Sequence, residues 1–202
     1  FNGSQDYDLI LRATERARTV AHIPSILYHW RVVPGSAAGD VHAKPYAYDA
    51  GKKAVESHFA RHKISADVAK LNPGSYQHRF VTTDTTKLPH VSIVIPTRGD
   101  TSRIWGAATC MVENTVQNIV DKSTYPSFDI TVVRDVNPDG SMVYPFTLPA
   151  QRNIQCVDYF DAFNIAAKWN VGVLASRGEI VVVLDDDTQI ATPDWLEQLV
   201  GQ

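Results

Sequence analysis

Ile180-Val181-Val182-Val183-Leu184-Asp185-Asp186-Asp187 reads as a strand that ends abruptly in three carboxylates. Five apolar residues in a row, three of them valine, suit a strand buried on both faces of a parallel sheet. In open α/β sheets, ligands gather outside the carboxyl ends of the strands. Three acids at one such tip repel each other and raise one another's pKa unless a cation offsets them. A hard divalent ion with oxygen ligands, Mg2+ or Mn2+, suits the place, sharing its coordination with a substrate phosphate. The plainer alternative is a polar exit into a loop, with Asp187 capping the next element.

Upstream, Val91-Ser92-Ile93-Val94-Ile95 predicts a second buried strand, stopped by Pro96. Thr97-Arg98-Gly99-Asp100 is then the loop at its carboxyl end, and a helix is predicted over 103–119. Residues 128–133 predict another strand, ending in the charged tip Arg134-Asp135 and a turn at Asn137-Pro138-Asp139-Gly140. Residues 154–157 predict a weaker strand, and 162–176 a helix with Gly178 just beyond it. Thr192-Pro193-Asp194-Trp195 opens a last helix, with threonine as cap and proline at its first position. Strands separated by helices imply right-handed crossovers and a parallel sheet. The fold class is therefore α/β, and the tips at 96–100, 134–139 and 185–187 fall on one edge. Neither standard Gly-rich phosphate loop is present, which disfavours a P-loop ATPase and a dinucleotide oxidoreductase.

The first forty residues start inside a polar segment. Leu9, Ala13 and Ala17 are spaced as on one helix face, with Asp6 and Asp8 in the first turn, and the helix is expected to end near Arg18. Residues 23–31 predict a short strand with Pro24 at its mouth, closed by a turn at Pro34-Gly35-Ser36. Residues 41–88 predict a connector that packs: a helix from Pro45 to about His62, a turn at Asn72-Pro73-Gly74-Ser75, and an extended piece over 76–83.

The 202 residues are 44% hydrophobic and 20% charged with a net charge of −3, ordinary for a globular protein and no invitation to nucleic acid. No apolar run approaches the roughly 20 residues that span a bilayer, and the N-terminus is no signal peptide. Cys110 and Cys156 lack metal spacing and read as buried free thiols in a reducing cytoplasm.

Five segments together resemble the family 2 glycosyltransferases of the GT-A fold. Val91 to Asp100, Phe128 to Gly140, Asn170-Val171-Gly172 through Asp187, and Thr192-Pro193-Asp194-Trp195-Leu196 resemble their nucleotide-sugar half. Gly3-Ser4-Gln5-Asp6-Tyr7-Asp8-Leu9, with Leu27-Tyr28-His29-Trp30-Arg31 and Pro34-Gly35-Ser36, resembles the acceptor side of bacterial members that build cell-surface polysaccharide. The order is inverted. The resemblance therefore implies the end of one transferase domain (1–40), a helical connector (41–88) and the nucleotide-sugar half of another (89–202), a GT-A sheet incomplete or rearranged. A slice through tandem domains fits this better than a circular permutant.

The resemblance also implies roles for single residues. Asp185 and Asp187 form the Asp-x-Asp pair, holding Mn2+ or Mg2+ against the diphosphate of a UDP- or dTDP-type sugar, with Asp185 and Asp186 also near the nucleotide sugar. Thr97, Arg98, Asp100 and Asp135 frame the nucleoside. The family usually places its acid directly after the strand, where this chain has Arg134, so Asp135 stands one place late. Lys168, a helical turn before Gly172, either reaches phosphate or is a solvated helix lysine. Asp6 matches the base that takes the proton of a saccharide acceptor in an inverting transfer; Asp8 is its nearest rival, and helix capping is the plain role for either. His29 and Arg31 contact diphosphate or metal, unless His29 is a core polar group.

The expected activity is metal-dependent transfer to a saccharide acceptor, in the cytoplasm or peripheral to the inner face of the membrane. With the acceptor strands missing, the base and the metal pair meet only by refolding onto each other or across a homodimer. Two other classes stay open: a non-catalytic nucleotide-sugar-binding fragment, and a sugar nucleotidyltransferase. The loop at 96–100 is poor in glycine for the latter.

Overall fold

A computed structural model describes residues 1–29, 31–33, 35, 44–72, 75–81, 87–104 and 106–201. The chain divides into two units, Phe1–Thr83 and Asp84–Gln202.

In the N-terminal unit, α1 (Gln5–Thr14) and α2 (Pro45–His62) precede a hairpin of β1 (Ala66–Asn72) and β2 (Ser75–Phe80). The Ser4 hydroxyl donates to Ala47 O at 2.6 Å, and Glu15 meets His58 at 2.7 Å. A constant offset at both ends means that α1 and α2 run side by side in the same direction. Ala50, Gly51, Ala54 and Val55 form the buried stripe of α2, as its helical spacing predicts. A Cβ on Gly51 would sit 2.0 Å from the Tyr76 hydroxyl, so the hairpin is docked on bare backbone there. The helix α1 stops at Thr14 rather than near Arg18. The Thr14 hydroxyl bonds back to the carbonyls of Ile10 and Leu11, a competitor to helix propagation.

Residues 23–29 and 31–33 form no strand. Ile23, Ile26, Leu27 and Tyr28 are exposed, and a lone extended segment has no ladder to join. Trp30, Pro34 and Ser36 lie outside the described residues.

Glu15, at the end of α1, is the electrostatic centre of this unit. Hydrogen bonds from Arg61 and then from His58 pull its pKa from the usual 4.5 to about 2. A depressed carboxyl stabilises the fold above the unfolded pKa and loses that contribution as pH falls through the folded one. The N-terminal unit should therefore weaken as pH drops from 4.5 towards 2. Glu15→Gln should be less stable at neutral pH and show a flatter acid limb, as monitored by far-UV circular dichroism.

The C-terminal unit carries four parallel strands in the order β7-β6-β3-β8, that is β3 (Val91–Thr97), β6 (Phe128–Asp135), β7 (Ile154–Tyr159) and β8 (Ile180–Val183). All four carboxyl ends therefore lie on one edge. Val91, Ile93, Ile95, Ile130 and Val132 face α3 (Met111–Lys122) and α5 (Trp195–Val200), through Val112, Val116, Ile119 and Leu196. Val94 and Val133 face α4 (Ile165–Ala175) through Ala167 and Val171. Here helix and sheet meet at Gly172, where a Cβ would come within 2.3 Å of Val94 Cγ1. The α/β sheet flanked by helices is as the sequence predicts.

Five details differ. The decisive strand β8 is half-buried, because it sits at the sheet edge and pairs only with β3 among the described residues. Pro96 does not stop β3, which runs to Thr97; β8 has already ended beside it, so the missing N–H breaks no ladder on that side. The helix expected over 103–119 starts only at Met111, after a hairpin of β4 (Thr101–Ile104) and β5 (Ala107–Cys110) turned by Gly106 at φ 87°. The last helix starts at Trp195, with Thr192 and Pro193 in the preceding turn. Both cysteines are free, but Cys156 is exposed on the edge strand β7.

Candidate functional site

Three strand ends and one helix start build the site. A pocket of about 240 Å³ at the carboxyl edge is lined by Pro96, Thr97, Arg98, Asp100, Phe163, Ile165 and the three acids Asp185, Asp186 and Asp187. A larger, more open hollow of about 560 Å³ beside Glu113 and Gln117 shares no residue with it. Its one charged group, Glu113, already accepts from Thr147 N–H. The acid tip is therefore the candidate site.

The acids alternate. Asp185 and Asp187 are exposed, whereas Asp186 is half-buried and turned towards β3, accepting from the Thr97 hydroxyl at 2.5 Å. Thr97 in turn accepts from Gly99 N–H at 2.8 Å, so this one hydroxyl links the loop after β3 to the acid tip. Burial pushes the Asp186 carboxyl up, the Thr97 hydrogen bond pulls it back, and the charges of Asp187, Asp100 and Asp185 push it up further.

One face of α3 holds the loop behind these acids. The Thr115 hydroxyl lies 2.6 Å from Asp186 O and 3.0 Å from Thr188 O. Asn118 Oδ1 accepts from Ile190 N–H at 2.7 Å, and Lys122 donates to Ile190 O at 2.8 Å. Residues 115, 118 and 122 recur at helical spacing on one side. They hold the acid tip by its backbone, leaving the side chains of Asp185 and Asp187 to the pocket.

Lys168 is neither solvated nor aimed at the pocket mouth. It is fully buried and donates to Thr97 O at 2.5 Å and to Asp135 Oδ1 at 2.7 Å. Asp135 thus faces a buried ammonium at the end of β6, and Arg134, one place earlier, pairs across the ladder with Asp158 at 2.6 Å. Arg98 is exposed, with its guanidinium 5.7 Å from the Tyr144 ring centre and 5.9 Å from that of Phe163, and 3.8 Å from Asp100.

Tyr144 and Phe163 are the residues that sequence reading missed. Both carry exposed rings beside the pocket's one arginine. Their signal was position alone: aromatic residues in loops beyond the strands at the ligand edge.

In the other unit, Asp6 is exposed on the first turn of α1 and its carboxylate accepts from Tyr7 N–H at 2.9 Å. Asp8 is 2% exposed and paired with Arg12 at 2.7 Å, while its Oδ1 has no hydrogen-bond partner among the described residues. His29 and Arg31 lie on the irregular, exposed segment.

The two exposed acids suit a hard cation. They are oxygen donors two residues apart on the pocket wall, without an ion pair among the described residues, and they repel a third carboxyl whose pKa they already raise. Two protein ligands leave the remaining positions to phosphate and water, the usual arrangement for Mg2+.

Residues 92–202 match the family model described as glycosyl transferase family 2. An uncharacterized protein, y4gI, from Sinorhizobium fredii (strain NBRC 101917 / NGR234) is 35% identical over all of this chain, which covers 22% of it. The O-antigen biosynthesis protein RfbC of Myxococcus xanthus is 27% identical, again over all of this chain and 15% of its own length. The chain thus spans less than a quarter of either relative. Among solved structures, the mannosyltransferase PcManGT from Pyrobaculum calidifontis, in complex with GDP-Man and Mn2+, aligns with 80% of this chain and 42% of its own. That likeness, at 19% identity and a TM-score of 0.43, is too slight to bear on the site. No described helix is long and apolar enough to cross a membrane.

Proposed function

Because the chain belongs to glycosyl transferase family 2, we propose that its C-terminal unit binds a nucleoside-diphosphate sugar at the acid tip and serves glycosyl transfer. The observation that carries this reading is the alternation of the acids, with Asp186 held by Thr97 while Asp185 and Asp187 stay exposed at the pocket. Asp185 and Asp187 would hold Mn2+ or Mg2+, which when bound would neutralise the diphosphate as it leaves. Tyr144 and Phe163, with Arg98 between them, offer faces on which a base or ribose can rest. Asp100 and Asp135 border the same edge; Asp135 acts through Lys168, which joins the tips of β3 and β6.

Asp6 remains our candidate for the base of an inverting transfer. It is exposed and at a helix start, whereas Asp8 is buried against Arg12. The N-terminal segment belongs, in this reading, to the acceptor side of one transferase domain and the sheet to the donor side of another. Saccharide chains of the cell surface are the proposed products, on the strength of the relative that serves O-antigen biosynthesis.

Calorimetric titration of UDP, dTDP and GDP into the full chain, with and without Mn2+, tests the donor site. Binding of one nucleotide that strengthens at least tenfold with Mn2+ is the expected result. Absence of any binding to the folded chain would overturn the assignment.

A further inference from the structure

We propose that Glu15, His58 and His62 form a second metal site, for one transition-metal dication of the zinc type, within the N-terminal unit. Among the described residues this is the one group of three or more histidine, cysteine or acidic side chains whose ligand atoms all lie within 4.8 Å of one another.

The helices bring it about. His58 and His62 stand four residues apart on α2, so both rings project from one face. Their ring centres are 4.6 Å apart. Because α1 runs beside α2 in the same direction, its end delivers Glu15 to that face. His58 Nδ1 lies 2.7 Å from Glu15 Oε1, and His62 Nε2 lies 3.9 Å from the same oxygen.

Ligand atoms about 2.0–2.1 Å from a tetrahedral zinc stand roughly 3.4 Å from one another. The observed separations straddle that value. Seating the ion draws the His58 contact out by about 0.7 Å and the His62 contact in by about 0.5 Å, shifts of the size side-chain rotation supplies. Two imidazoles and one carboxylate also select the ion: nitrogen donors favour zinc-like metals over Mg2+. The fourth position is left to water.

Arg61 sharpens the choice between an ion-pair cluster and a ligand set. Its Nε lies 2.9 Å from Glu15 Oε2, and its Nη2 lies 2.6 Å from Oε1. For the metal to take Oε1, Arg61 would release its Nη2 and Nε contacts there and keep the Nε bond to Oε2, as supporting hydrogen bonds do at metal sites. The guanidinium charge works against the dication, so the affinity should be modest.

The test is calorimetric titration of Zn2+ into the full chain carrying Asp185→Asn and Asp187→Asn, which silences the acid tip. One equivalent should bind, and adding His62→Ala or His58→Ala should weaken it at least tenfold. His62 is 43% exposed and its contact to Glu15 is long, so its loss should leave the fold intact by circular dichroism. Should it not, His62→Gln takes its place. Co2+ in place of Zn2+ should give the visible absorption of a tetrahedral nitrogen and oxygen site, unchanged by excess Mg2+ and lost with His62. No bound equivalent, or an affinity indifferent to His62 and His58, would overturn the proposal.

Discussion

Lys168→Ala is expected to cost the C-terminal unit about 3–5 kcal/mol, the usual loss when one partner of a buried ion pair is removed. The ammonium is wholly buried and serves two groups, Thr97 O and Asp135 Oδ1. Alanine leaves a carboxylate at the end of β6 and a carbonyl at the end of β3 without a donor, in a space water does not easily fill. Urea unfolding of the single variant should show the loss. Lys168→Met combined with Asp135→Asn should recover much of it, because neither charge is then stranded. If Lys168 served phosphate instead, stability would hardly change and nucleotide affinity alone would fall.

Asp187→Asn should have the opposite signature, a fold left intact and a ligand lost. Its carboxylate is exposed and supports nothing in the sheet, so unfolding should be unchanged within about 0.5 kcal/mol. Replacing one of two anionic oxygen donors should lower Mn2+-dependent nucleotide affinity about a hundredfold or more, equivalent to ~2.7 kcal/mol. Asp186→Asn is the informative contrast. Asparagine keeps an oxygen for the Thr97 hydroxyl and removes a carboxyl that burial already disfavours in its charged form. Calorimetry of the two variants side by side should therefore separate a ligand from a tether. Equal losses in both would sink the division of labour among the three acids.

How much of this was legible depends on the range of the interaction that decides each feature. The parallel sheet was readable because runs such as Val91 to Ile95 and the acid-tipped strand carry their burial in local composition. The alternation of the acids was not legible, because β8 ends at Val183 and Asp186 is turned inward by Thr97, a partner distant in the chain. Thr115, Asn118 and Lys122 were invisible as supports, since nothing in α3 says which loop it will hold. Lys168 shows the same limit: a lysine in a helical pattern reads as solvated until the fold places Asp135 and a strand end over it. The edge position of β8 was misread because the five apolar residues from Ile180 to Leu184 look alike whether one neighbour strand is present or two. The strand expected over 23–31 fails for a related reason, as an extended pattern states a preference but supplies no partner.

The edge position of β8 bears on colloidal behaviour. Among the described residues no strand pairs with the outer side of this valine-rich segment, which makes it a template on which another copy's edge can add. Glu179 before it and three aspartates after it flank this short segment with negative charge that repels a second copy. The carboxylates at the ligand edge would then also act as gatekeepers against stacking of such edges. Neutralising them by mutation or by acid would release the strand to self-associate, and dilute, neutral, low-salt conditions are those in which the chain should keep best.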